Sequence, residues 1–259
     1  MLKKRMILCL LMRNNGVFVN SRNFSLQSVG ELAWIKRYLD FDSIDELVLL
    51  NIDRGDKDIK AFAGHMRELA KLCFVPITAG GGVRTLRDFE TLLDSGADKI
   101  AVNTRFVEDP QFIQQAAKTY GSQCVVASID CRKDQAGRYV VFSANGAHDT
   151  GKEAAQWSRE VESRGAGEIF LTSVDRDGTG QGYDIPLLRA IADAVTIPVI
   201  ASGGVGEFSH LAEGIVEGGA SAVSAANIFH YVGNGLVKAK MYIRGQGLDF
   251  PVWNFSEAG

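Results

Sequence analysis

Val75-Pro-Ile-Thr-Ala-Gly-Gly-Gly-Val-Arg84 is a short apolar run that stops at three consecutive glycines. The residues after it, Thr85-Leu-Arg-Asp-Phe-Glu-Thr-Leu-Leu93, carry helical spacing. Together they read as strand, glycine turn and helix start. Glycines at such a junction let the backbone approach a ligand closely, and the first N–H groups of the following helix favour an anion such as phosphate.

The chain repeats the phrase as Ile197-Pro-Val-Ile-Ala-Ser-Gly-Gly-Val-Gly206, offset by 122 residues from Gly81 to Gly203. At the same offset, Glu46-Leu-Val-Leu-Leu-Asn-Ile-Asp-Arg-Gly-Asp56 matches Glu168-Ile-Phe-Leu-Thr-Ser-Val-Asp-Arg-Asp-Gly178. Gly96-Ala-Asp98 pairs with Gly219-Ala-Ser221, and residues 6–12 align loosely with 125–131, setting Leu11 opposite Asp130. Two similar halves of about four strands each imply a duplicated half-barrel; a solenoid would show shorter periods and more copies.

Working outward, apolar strand-like runs fall near 5–11, 46–52, 75–79, 99–103, 124–130, 168–173, 197–201 and 222–225. Helical periodicity fills 31–39, 59–72, 86–93, 111–118, 153–163, 185–192, 211–217 and 236–243, as in Phe62, Met66, Leu69 and Leu72. Strict alternation of near-continuous apolar strands with helices implies a parallel sheet covered by helices, and eight repeats close it. The expectation is a single (β/α)8 TIM barrel over residues 1–259, with no proline- or serine-rich linker dividing it.

The 28 basic and 31 acidic residues leave a net charge of −3, with no basic tail or stripe, which argues against a nucleic-acid partner. No run approaches the roughly 18 apolar residues of a membrane span. Met1-Leu-Lys-Lys-Arg-Met-Ile-Leu-Cys-Leu-Leu-Met12 is basic then apolar, but it lacks a small-residue cleavage site and reads as the first barrel strand. Cys9, Cys73, Cys124 and Cys131 show no CxxC spacing, which fits buried thiols in a reducing cytoplasm. His65, His148, His210 and His230 show no metal-ligand spacing, so neither metal nor redox cofactor is expected.

In such barrels the active site lies at the C-terminal strand ends. The polar residues expected there are Asn51 and Asp53, the turn with Gly81 and Gly82, Asn103 and Thr104, Asp130, the stretch from Ser173 through Asp177 and Gly178 to Thr179, Ser202 with Gly203 and Gly204, and Ala226-Asn227. Paired across the duplication, they make two anion sites and imply a long ligand with a phosphate at each end. Tight βα turns would use the same glycines without a ligand; duplication of the whole set favours the binding reading. The long loops 12–30 and 132–152 are expected to project over the mouth as lids or substrate loops.

These residues resemble, over nearly the whole chain, the cyclase subunit of imidazole glycerol phosphate synthase. The resemblance is carried by Lys4-Arg5, Asp45-Glu46-Leu47, Gly80-Gly-Gly-Val-Arg84, Gly96-Ala-Asp-Lys99, Val102-Asn103, Gly121-Ser-Gln-Cys-Val-Val126, Gly165-Ala-Gly-Glu168, Leu171-Thr-Ser173, Asp175-Arg-Asp-Gly-Thr179 and Ile197-Pro-Val-Ile-Ala-Ser-Gly-Gly204. It implies a glutaminase partner beneath the barrel, ammonia passing through the barrel, and a ribulosyl aminoimidazole carboxamide substrate with two phosphates at the mouth. It also places an ammonia gate at Arg5, Glu46, Lys99 and Glu168, coupling to the glutaminase at Asp98, and phosphate sites at the positions above. The alternative for the four gate charges is a structural salt-bridge plug, which needs no ammonia.

The chemistry at the mouth departs from the family. It uses an aspartate pair, one at the end of strand one and one at strand five, so that one carboxyl can hold a proton while the other accepts one. Here Asp130 stands alone opposite Leu11, a strand-two aspartate is Asn51, and the first-loop lysine falls on Val19 or Asn20. Leu11 is shared with an offshoot that serves bacterial surface-polysaccharide synthesis, where ammonia is passed to a separate amidotransferase making acetamidino sugars. The alternatives are a true cyclase in histidine synthesis, with Asp130 working alone or with a replacement such as Asp53 or Asp177, and a silent scaffold that activates a glutaminase.

Overall fold

A computed structural model describes residues 3–22, 25–32, 43–226 and 235–251. The chain opens with β1 (Arg5–Met12), followed by β2 (Phe18–Arg22), β3 (Ser25–Gly30) and β4 (Glu46–Asn51). Helix α1 (Ile59–Ala70) leads to β5 (Ile77–Gly80), α2 (Leu86–Leu93), β6 (Lys99–Val102), α3 (Thr104–Glu108) and α4 (Gln111–Tyr120). Next come β7 (Val125–Lys133), β8 (Tyr139–Ser143), β9 (His148–Glu153), α5 (Ala154–Ser163) and β10 (Glu168–Ser173). The chain continues through α6 (Ile185–Ala192), β11 (Val199–Ser202), α7 (Phe208–Val216), β12 (Ala222–Ala225) and α8 (Gly235–Gly245).

Eight strands pair in parallel in the order β1-β4-β5-β6-β7-β10-β11-β12, and β12 returns to β1 with Arg5 opposite Ala222 and Leu8 opposite Ala225. This closes the expected (β/α)8 barrel. Expected elements match within a few residues; the helix expected at 31–39 lies almost wholly outside the described residues, as do Asn227 and His230.

Alternation along each strand divides the core. On β1, Met6, Leu8 and Leu10 join the large apolar layer between strands and helices, while Ile7 and Cys9 turn inward. They meet Val48, Ala101, Val126, Phe170, Ile200 and Ala222 inside the barrel. The helices supply the other side of the outer layer. Helix α1 starts where the Asp58 carboxylate accepts from Lys60 and Ala61 N–H, and it buries Phe62, Met66 and Leu69 on one face. Helix α2 starts at a reciprocal Thr85–Asp88 capping box.

The stretches 12–30 and 132–152, expected as loops over the mouth, carry secondary structure of their own as antiparallel hairpins, β2–β3 and β8–β9. Strands β1 and β7 run beyond the barrel rim, and their outer residues would carry unpaired backbone groups. The chain folds back to pair them, Leu11 with Val19 and Asp130 with Phe142. Asn15-Gly16 turns β1 into β2 and Asn145-Gly146 turns β8 into β9, with both glycines at positive φ.

The last helix is pinned to the start of the barrel. Lys240 Nζ lies 2.7 Å from Asp45 Oδ1, and the other carboxylate oxygen accepts Met6 N–H at 2.8 Å. The Asp45 side chain is only 2% exposed. Lys240→Met takes the cation from a buried carboxylate and is expected to cost roughly 3 kcal/mol in urea unfolding. Lys3→Met, which breaks the exposed 3.8 Å pair with Asp249, is expected to leave the midpoint unchanged.

Candidate functional site

At the N-terminal ends of the strands, inward-facing positions bring four charges together across the barrel axis. Arg5 Nη1 donates to Glu46 Oε1 at 2.5 Å and its Nη2 to Glu168 Oε1. Lys99 Nζ lies 3.2 Å from Glu46 Oε2 and 2.9 Å from Glu168 Oε2. Each acid therefore touches both bases, so the ring is neutral and every charge has two partners. Burial alone would lower the guanidinium pKa of Arg5, but Glu168 and Glu46 hold it above its ordinary value. Asp98, expected to couple to a partner, is exposed on the same end; its Oδ2 accepts Ile77 N–H at 2.8 Å.

At the opposite end, the C-terminal strand ends enclose a cavity of about 1140 Å³. It reaches down to Cys9, Ala101 and Phe170; the next inward layer, with Ile7, Val48 and Val126, separates it from the charged ring. This volume fits a long ligand. Of the residues expected at the mouth, Asn51, Asp53, Gly81, Gly82, Asn103, Thr104, Asp130, Asp177, Gly178, Gly203, Gly204 and Ala226 all line it. Asn227 lies outside the described residues.

The glycine turns have a packing reason of their own. Gly81 has φ +95°, and a Cβ there would sit 2.0 Å from Asn51 O. Gly204 has φ +106°, with Gly182 O at 2.2 Å from such a Cβ. Both turns press against a neighbouring backbone, so the glycines are required whether or not a ligand binds.

Leu11 and Leu50 both line the cavity and pack on the inner apolar cluster. Asp130 faces into the same cavity from β7, where Asn103 Nδ2 donates to its Oδ2 at 3.2 Å. Burial drives its carboxyl up to about 7; the neighbouring Asp177 adds to the rise, and Lys57 opposes it. A carboxyl poised near neutrality can both take and give a proton. Asp177 in turn accepts the Ser21 hydroxyl at 2.5 Å from the β2–β3 hairpin. Burial, with Asp177 adding, pushes the Cys9 thiol up to about 12, so it is no thiolate nucleophile at neutral pH.

Asn51 has become a strut. Its Nδ2 donates to Asn14 Oδ1 at 2.8 Å, its Oδ1 accepts Asp53 N–H at 3.1 Å, and the Asn14 N–H reaches Asp53 Oδ2 at 2.8 Å. An aspartate could not donate to Asn14, so the amide is what joins the first two βα loops. Asn103 Oδ1 and Ser224 Oγ are buried and have no hydrogen-bond partner, although both residues line the cavity. Such atoms are available to a ligand.

Sequence reasoning missed Lys57 and Asn145. Lys57 Nζ enters the mouth and donates to Asn51 O at 2.9 Å and to Asn145 Oδ1 at 3.2 Å. Asn145 also donates to Asp53 O at 3.1 Å, so the β8–β9 tip is latched across the mouth onto the end of β4. The tip holds Ala144 and Asn145 at φ +52° and +56°, and Ala144 N–H donates to Thr104 Oγ1 at 3.1 Å. Strained φ values persist where surrounding contacts fix them. The available signal was Asn145-Gly146, with Lys57 standing immediately before the Asp58 helix cap.

Among the described histidines, His65 and His210 have local roles. His210 Nδ1 accepts Gly206 N–H at 3.2 Å at the start of α7, and the His65 ring lies against Gly16. Among the described residues no group of three or more His, Cys, Asp or Glu could hold a metal, and no helix is long and apolar enough to cross a membrane.

The raised carboxyl of Asp130 gives a signed expectation. A folded-state pKa above the unfolded one stabilises below the unfolded value and loses that contribution as pH rises to about 7. Asp130→Asn removes the penalty, so its stability relative to wild type is expected to improve from pH 5 to pH 8, by up to about 1.4 kcal/mol per unit below pH 7. Paired urea titrations across that range check it; parallel curves would contradict the burial of the carboxylate.

Comparison with known families finds that the model for "Histidine biosynthesis protein" matches residues 5–233. Most of the chain lies within that match, and the protein belongs to the histidine biosynthesis protein family.

Proposed function

We propose that this chain is the ammonia-conducting barrel subunit of a glutamine amidotransferase system. A glutaminase docked on the face carrying Asp98 releases ammonia, which passes the ring of Arg5, Glu46, Lys99 and Glu168 and the small inner side chains Cys9, Ala101 and Ala222. A separate amidotransferase uses it to convert an acetamido sugar of a bacterial surface polysaccharide into an acetamidino sugar. The observation that carries the reading is the contrast between the two ends: a complete four-charge ring below, and Leu11 and Leu50 lining the mouth that Asp130 faces. Leucine can neither give nor take a proton, and losing one member of an acid–base pair typically costs about 10²–10⁴-fold.

One observation favours a second reading, a cyclase that makes imidazole glycerol phosphate. Asp177 lines the cavity and raises the pKa of Asp130, so a second carboxylate stands within electrostatic reach of the first. It enters from the loop after β10, the strand paired with β7.

The deciding experiment supplies ribulosyl aminoimidazole carboxamide phosphate substrate and high ammonium to the purified barrel, so that no glutaminase is needed. The expected outcome is no turnover. Turnover of about 1 s⁻¹, lost in Asp130→Asn, would establish the cyclase and remove the delivery reading. A companion measurement uses Arg5→Ala with the cognate glutaminase and amidotransferase. Opening the ring leaves two carboxylates sharing Lys99, and glutamine consumption is expected to exceed amidated product where the wild type keeps the two equal.

A further inference from the structure

The family's first-loop lysine is replaced in this chain, yet the mouth holds a cation at another place. Lys57 comes from the loop between β4 and α1 and lies against the first glycine turn: a Cβ on Gly82 would meet Lys57 Cβ at 2.6 Å. Two of the three ammonium N–H donors are used by Asn51 O and Asn145 Oδ1, which leaves the third for a ligand. Both partners are neutral, so the hydrogen bonds orient the charge without cancelling it. The latch is mutual: Asn145 spans Lys57 and Asp53 O, which keeps the β8–β9 tip over the same end of the cavity.

We propose that Lys57 is the cation with which the mouth reads a phosphate monoester of its ligand on the Gly81–Gly82 turn, held in place by Asn145 of the β8–β9 hairpin. The inference rests on the reading that the mouth binds a phosphorylated small molecule. It does not rest on ammonia passage, so a failed conduction assay leaves it standing. The charged groups acting on Lys57 are Asp130 from β7, Asp53 from its own loop and Arg84 from the β5–α2 loop. The hairpin tip contributes only Ala144, Asn145, Gly146 and Ala147, which carry no charge. Burial brings the ammonium down to about 8, with Asp130 and Asp53 opposing the fall and Arg84 adding to it. An anion beside it favours the charged form, so binding takes up a proton above pH 8 and weakens as pH rises further.

The test uses sulfate as the probe, because its charge is constant over the working range. Calorimetric titration of the full chain from pH 6 to pH 9.5 is expected to show two losses of affinity. One falls near pH 7 as Asp130 ionises, and the other, approaching tenfold per pH unit, lies above pH 8. Lys57→Arg keeps the cation charged throughout; it is expected to retain the first loss and lose the second. Lys57→Met is expected to bind at least tenfold more weakly at pH 7, with thermal unfolding confirming that it is folded. Wild-type affinity that stays flat above pH 8, or equal binding by folded Lys57→Met, would overturn the proposal.

Discussion

The pairing of β12 with β1 governs everything else in this molecule. Once those two strands share hydrogen bonds the eight-strand barrel has no edge, and the period-two alternation of all eight strands is referred to one axis. Residues that would decorate an open sheet face must then stack in layers inside a cylinder. The lowest layer holds Arg5, Glu46, Lys99 and Glu168, the middle one Ile7, Cys9, Val48, Ala101, Val126, Phe170, Ile200 and Ala222, and the upper one Leu11, Asn103, Asp130 and Thr172. Charge, apolar packing and polar chemistry are separated along the axis by strand register alone.

That layering explains why the two ends answer to different constraints. In the lower layer the charges are close and poorly solvated, so each needs partners, and the alternating acid–base ring satisfies all four. The upper layer opens on a cavity and tolerates imbalance. Asp130 shifts towards neutrality, Lys57 gives up part of its preference for the proton, and two buried polar atoms stay unpaired. Groups shifted from both directions towards pH 7–8 in one cavity are a mark of working sites.

The hairpins are what make the mouth a site and not merely a rim. Through Ser21 the β2–β3 hairpin reaches Asp177, and through Asn145 the β8–β9 hairpin reaches Lys57 and the end of β4. Each bridges strands that are not neighbours in the barrel. Their positions follow from overlong barrel strands: β7 runs to Lys133 because β8 is there to pair with it.

Much of this was legible in the chain. The repeated glycine phrase and the alternation of apolar runs with helical stretches determined the barrel, because periodicity is local and survives in one dimension. The repeat also set out the mouth residues and the pair Glu46 and Glu168, since these recur at fixed positions relative to the strands, while the full charged ring was implied by the family resemblance. What the sequence left open were relations between segments far apart along it. Lys57 and Asn145 stand 88 positions apart and meet only because a hairpin folds back across the mouth. Asn51 reads as a lost acid in one dimension and as a strut in three, because its partner Asn14 lies on another loop. The order of chemistries along the axis was written in the residues, but which groups touch, and so which of them titrate near neutral pH, was decided by closure. Burial and the distance between charges exist only once the strands share an axis.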